Sequence, residues 1–159
     1  MKKETLFLKI VLLALGLVVA ALCVAIPIVL RIGREVDGVF IKYPILLGLY
    51  VTAAAFFVAL YQTMKLLKYI DTGNAFSVRS VSALSVIKRC AVIIGVLYTL
   101  GGLPFSYFAA LAEADNAPEV FVIVMIFTFA SYVIAVFASV LQKLLAAAIS
   151  IKEENDLTV

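Results

Sequence analysis

The side chains most often used for proton transfer are kept apart along this chain. Glu113, Asp115 and Glu119 fall between two apolar runs, Glu153, Glu154 and Asp156 crowd the C-terminus, and no acid lies inside a run. With no histidine in the sequence, a Ser-His or Cys-His pair has no base. Cys23 and Cys90 belong to different apolar runs at different depths, which disfavours a disulfide and leaves each as a small hydrophobe. Zinc and haem sites have nothing to build on. The residues therefore predict no catalytic constellation, no cofactor and no metal.

A second set of polar groups lies within the runs: Tyr50, Thr52, Tyr98, Thr99, Thr128, Ser131 and Tyr132. One reading is a small polar cavity or permeation path. The plainer one is hydrogen bonding between helices, or of each hydroxyl back to its own helix. Transporters and proton relays usually place an ionisable residue in the membrane, and these runs hold no Asp, Glu, Lys or Arg. The plainer reading is therefore preferred. Small residues four apart (Gly16 with Ala20, Ala21 with Ala25, Gly48 with Thr52, Ala55 with Ala59) permit close helix approach. Intramolecular packing is the expectation, and a homo-oligomer the alternative.

The elements that must position these groups are plain. Of 159 residues, 65% are hydrophobic and 14% charged, with a mean hydropathy of +1.19. A soluble domain of this size cannot hide so much apolar surface. Four charge-free runs, 10–30, 44–64, 90–111 and 120–141, are each 21 or 22 residues long. That length spans a hydrocarbon core as a helix, and the runs lack the alternation of a barrel strand. The first run continues to Leu30 with no polar cleavage region, so it reads as an uncleaved span. The expected fold is all-α: a polytopic membrane protein of four transmembrane helices, a single membrane domain over 1–159. It would sit as a multi-pass protein in the bacterial plasma membrane, with the lipid bilayer as its first partner.

Basic residues set the expected orientation. With the N-terminus inside, inner segments hold Lys2, Lys3, Lys9, Lys65, Lys68, Arg79, Lys88, Arg89, Lys143 and Lys152, against Arg31, Arg34 and Lys42 outside. Ten against three in short loops predicts N-in, C-in. The net charge of +3 is thus a topology device, and direct nucleic-acid binding is not expected.

The loops add detail. A turn is expected at Asp37-Gly38, Pro27 lies near the outer end of the first span, and Pro44 is placed in the first turn of the second. In the inner loop, 65–89, Asp71-Thr72-Gly73-Asn74 reads as a helix stop and Phe76-Ser77 as a start. Ser77 is suited to cap, and Phe76 to staple onto Val81. The apolar spacing that follows predicts a short amphipathic inner-loop helix before the third span, or a cytoplasmic extension of that span. Gly95, Gly101, Gly102 and Pro104 predict a bent or loosened outer half in the third span. Past Lys143 the fourth run keeps strong helix formers to Ile151, and an acidic tail, 152–159, follows. Loop and tail are opposite in charge, which permits docking. Leu157, Thr158 and Val159 are unusual members of a solvated end and suggest insertion into a groove or against a strand edge.

The four spans, the loop Gly73-Asn74-Ala75-Phe76-Ser77 and the ending Lys152-Glu153-Glu154-Asn155-Asp156-Leu157-Thr158-Val159 resemble a family of small bacterial membrane proteins. It is known as domain of unknown function twenty-nine seventy-five, and its members commonly have Pro where this chain has Ala75. Members are commonly encoded beside a small helix-turn-helix regulator, so the resemblance implies binding or regulation of that cytoplasmic partner. The positions it singles out for partner binding are Gly73, Phe76, Ser77, Glu153, Glu154, Asn155, Asp156, Leu157, Thr158 and Val159. The expectation is a non-enzymatic membrane protein that acts by binding. The alternatives are a small transporter, an immunity-type protein, or an assembly subunit of a larger membrane complex.

Overall fold

Backbone amides in hydrocarbon must be satisfied within their own segment, and this chain meets the demand with helices. The computed structural model describes residues 2–32, 39–111 and 117–158. The elements are α1 (Lys2–Ile32), α2 (Val39–Asp71), α3 (Val78–Leu97), a π-helical turn (Tyr98–Gly102), α4 (Leu103–Leu111) and α5 (Ala117–Leu157). Among the described residues, four helical stretches are long and apolar enough to cross a membrane: Lys3–Val29, Tyr43–Asp71, Val78–Leu111 and Pro118–Leu157. The expected turn at Asp37-Gly38 and the loop acids Glu113 and Asp115 lie outside the described residues.

Two boundaries differ from expectation, and a third decides between the two forms expected of residues 78–88. Those residues are the opening turns of α3 itself, an extension of the third span, and among the described residues no separate amphipathic helix precedes it. Pro44 is not in a first turn: α2 begins at Val39 and runs through it, giving up one backbone hydrogen bond. The helix does not give way to the acidic tail after Ile151: residues 152–157 continue α5, whose 41 residues span ~60 Å, about twice a hydrocarbon core. α1 likewise runs through Pro27 to Ile32.

The loosening of the third span takes a defined form. Proline at 104 has no N–H for the Leu100 carbonyl and crowds it. The helix widens there, and Leu103 N–H donates to the carbonyl of Tyr98, five residues back.

α3 lies at the centre. It packs against α2 on one side and α5 on the other, α4 packs on α5, and α1 packs on α2. The row of helices is possible because the seams are made of small side chains. Ser80, Ala83, Ala91 and Gly95 are buried on α3, and Thr128, Ser131, Ala135 and Ala138 on α5. The α5 residues recur at intervals of three and four, one stripe of a helix. Their hydroxyls are satisfied locally: Thr128 donates to Val124 O and Ser131 to Phe127 O, each at 2.8 Å. Thr52 and Thr99 do the same toward Gly48 and Gly95, also at 2.8 Å. Most of the mid-span polar set therefore bonds back to its own helix. Within this set one bond crosses between helices: the Tyr132 hydroxyl donates to the Thr99 hydroxyl oxygen at 3.0 Å, the Thr99 proton being engaged by Gly95 O.

Gly95 makes that crossing fit. A Cβ there would stand 3.1–3.3 Å from three ring atoms of Tyr132. A Cβ on Gly48 would meet nothing within 4 Å. Gly16 is intermediate, with its nearest neighbour the tip of the flexible Leu60 side chain at 2.9 Å. Gly95→Ala is therefore expected to lower stability by ~1–3 kcal/mol through overpacking, while Gly48→Ala is neutral or slightly stabilising. Denaturant titration of helicity in detergent checks the order. Equal effects at the two sites would contradict the packing described.

Candidate functional site

Helix termini leave unpaired backbone groups, and the α2–α3 junction satisfies them within six residues. Gly73 adopts φ +74°. Its N–H reaches Ile70 O at 3.1 Å and Asn74 N–H reaches Tyr69 O at 2.9 Å, the paired bonds of a Schellman stop. Three residues later Ser77 starts α3. Its Oγ accepts from Ser80 N–H at 3.3 Å and lies 3.1 Å from the fully buried Ser80 hydroxyl. The stop and the cap are those expected from Gly73 and Ser77. Ser77→Ala should cost ~1 kcal/mol of local stability. Faster amide exchange confined to the first turn of α3 is the readout, and unchanged exchange there would mean the cap contributes nothing.

This junction divides two recesses. On one side is a cleft of about 710 Å³, bordered by the last turns of α2, the connecting turn and the first residues of α3. Lys65, Lys68 and Arg79 line it together with Tyr69, Asn74 and Ser77. Lys65 Nζ sits 4.7 Å from the centre of the Tyr61 ring. Among the described residues none of these three cations pairs with a carboxylate. On the other side is a groove of about 430 Å³ lined by apolar side chains, among them Leu66, Phe76, Leu84, Leu141, Leu144 and Ala148. Phe76 thus lines a groove between α2, α3 and α5, and is 57% exposed.

The end that carries both termini holds one further feature. Lys9 of α1 forms an ion pair with Asp71 at the last residue of α2, with side chains 32% and 21% exposed. Nothing in the sequence signals it, because the partners are 62 positions apart.

The acidic end of α5 stands clear of all this. Glu153, Glu154, Asn155, Asp156 and Leu157 are exposed, and Leu157 is 87% so. Thr158 closes the last turn, its hydroxyl donating to Glu154 O at 2.6 Å. Val159 lies outside the described residues. Among the described residues no tail carboxylate pairs with a base of the 65–89 segment, so the loop–tail docking that their opposite charges permit is not made. The candidate residues therefore fall into two places: Gly73, Phe76 and Ser77 at the junction, and 153–158 on the projecting helix. Among the described residues no three His, Cys, Asp or Glu side chains gather as metal ligands, and Cys23 and Cys90 are both free thiols.

No solved structure matches the chain. The uncharacterized membrane protein YoaS of Bacillus subtilis (strain 168) is 50% identical over 161 residues, which cover 99% of each chain. A family model described as protein of unknown function DUF2975 matches residues 37–159, from before α2 to the end of the chain. With four membrane-crossing helices and that relative, the chain is a multi-pass bacterial membrane protein, and it belongs to the DUF2975 family.

Proposed function

We propose that this protein is a non-catalytic membrane anchor that binds a basic cytoplasmic partner through the end of α5. The observation that carries this reading is the electrostatics of that helix end. Carbonyl groups give a helix C-terminus partial negative charge, so cations belong there and each acid is unfavourable by ~0.3–1 kcal/mol. α5 ends with Glu153, Glu154 and Asp156 and has no basic residue in its last turn. A partner presenting Lys and Arg would relieve that repulsion, and Leu157 would supply an apolar contact at its centre. A small helix-turn-helix regulator, which the family resemblance implies, carries such a basic face for DNA. Occupying it from the membrane would compete with DNA. The hydroxyls of Thr52, Thr99, Thr128 and Ser131 within the spans bond back to their own helices, which favours binding over transport as the use of the fold.

The reading requires the termini to face the cytoplasm, as the basic residues indicate. In a background lacking Cys23 and Cys90, external thiol reagents should label cysteine at Asp37 or Asp115 and miss cysteine at the exposed positions Thr72 or Asn155. Labelling of position 155 from outside would reverse the orientation and remove the partner from reach.

A further inference from the structure

We infer that the cleft between the end of α2 and the start of α3 is a binding site for the phosphate headgroup of an anionic phospholipid. Three observations lead there. Lys65, Lys68 and Arg79 face one cleft with no carboxylate partner among the described residues, while the nearest acid along the chain, Asp71, is paired with Lys9. Converging cations without a counter-charge repel one another, and an anion in the cleft offsets that cost. The Ser77 hydroxyl and the Asn74 amide on its wall supply neutral donors beside them. No α5 residue borders the cleft, so the chain's own acidic helix does not fill it.

Its place in the fold identifies the source of the anion. Tyr61 and Tyr69 flank Lys65 and Lys68 along the last three turns of α2, where an apolar span meets an interface. Lys65 lies over the Tyr61 ring, a cation held at the level where lipid headgroups lie. Val78, 73% exposed, stands at the rim. An exposed valine beside three cations suits contact with glycerol and acyl carbons better than contact with water. The inference is independent of the partner proposed for α5.

The test uses full-length protein in nanodiscs of equal phosphatidylglycerol and phosphatidylcholine, with the lipid retained on transfer to detergent counted by mass spectrometry. Phosphatidylglycerol should be enriched about tenfold over phosphatidylcholine. Lys65→Gln, Lys68→Gln and Arg79→Gln combined should bring the ratio close to unity. Arg89→Gln, Lys143→Gln and Lys152→Gln remove equal charge outside the cleft and should leave it within about twofold. Lys68→Gln and Arg79→Gln as single changes at exposed side chains preserve folding and should each lower the ratio several-fold. Equal losses in the two triple variants would reduce the effect to diffuse surface charge and overturn the site. Displacement of the retained lipid by inorganic phosphate at matched ionic strength would assign the cleft to free phosphate instead. Displacement by a peptide of residues 150–159 would assign it to an acidic protein segment.

Discussion

Asp71→Leu will detach the start of α1 from the rest of the protein. α1 packs on α2, and the Lys9–Asp71 ion pair fastens the end where both helices leave the membrane. Both side chains are about a quarter exposed, so the pair is weaker than a fully buried one, yet removing one partner leaves the other charge in a partly apolar setting. The expected loss is ~1–3 kcal/mol. Protease sensitivity at the N-terminus of α1 should rise while α3–α5 stays folded. Lys9→Met combined with Asp71→Leu should recover part of the loss, because Lys9 is then no longer left without its counter-charge. If the double variant is as unstable as the single one, the ion pair is not what holds α1.

Deletion of residues 153–159 is expected to abolish partner binding and leave the protein inserted and abundant. The segment lies beyond the charge-free run, and its described residues, 153–158, are exposed, so the transmembrane fold has no dependence on them. Leu157→Asp should do nearly as much damage, because it places a further negative charge where an apolar contact is required. Charge reversal of Glu153, Glu154 and Asp156 to lysine should also end binding, though it stabilises the end of α5 through the helix dipole. Raised ionic strength separates the two contributions: the carboxylate share fades as the Debye length falls to ~3 Å at 1 M salt, and the Leu157 share persists. Full partner recovery with the truncated protein would make the segment a solvated helix end.

The parts of this fold that were legible in the sequence are those carried by consecutive residues. A charge-free run of about twenty is visible without knowing its neighbours, and so are the Gly73 stop, the Ser77 cap and the weakening around Pro104. What was not legible depends on distance through space. Lys9 reads as one more topology-setting lysine until Asp71 is seen beside it. Thr128 and Ser131 attract notice as polar groups within an apolar run, yet their role is to be small, in a stripe with Ala135 and Ala138 against α3. The small-residue pairs noticed first, on α1 and α2, include Gly48, which faces open space. Past Ile151 the sequence reads as an acidic tail, but Lys and Glu are good helix formers, and extending an established helix is easy compared with starting one. The two recesses flanking residues 72–77 arise from packing α2 against α3 and α3 against α5, which no local pattern encodes.

One measurement bears most directly on the claim that α5 presents a docking surface in the cytoplasm. A photo-crosslinking amino acid at position 157, activated in intact cells of the native host, should join the protein to a small basic helix-turn-helix regulator. The adduct should disappear when Glu153, Glu154 and Asp156 are changed to lysine. Adducts confined to lipid or to other copies of this chain, unchanged by that charge reversal, would contradict the account.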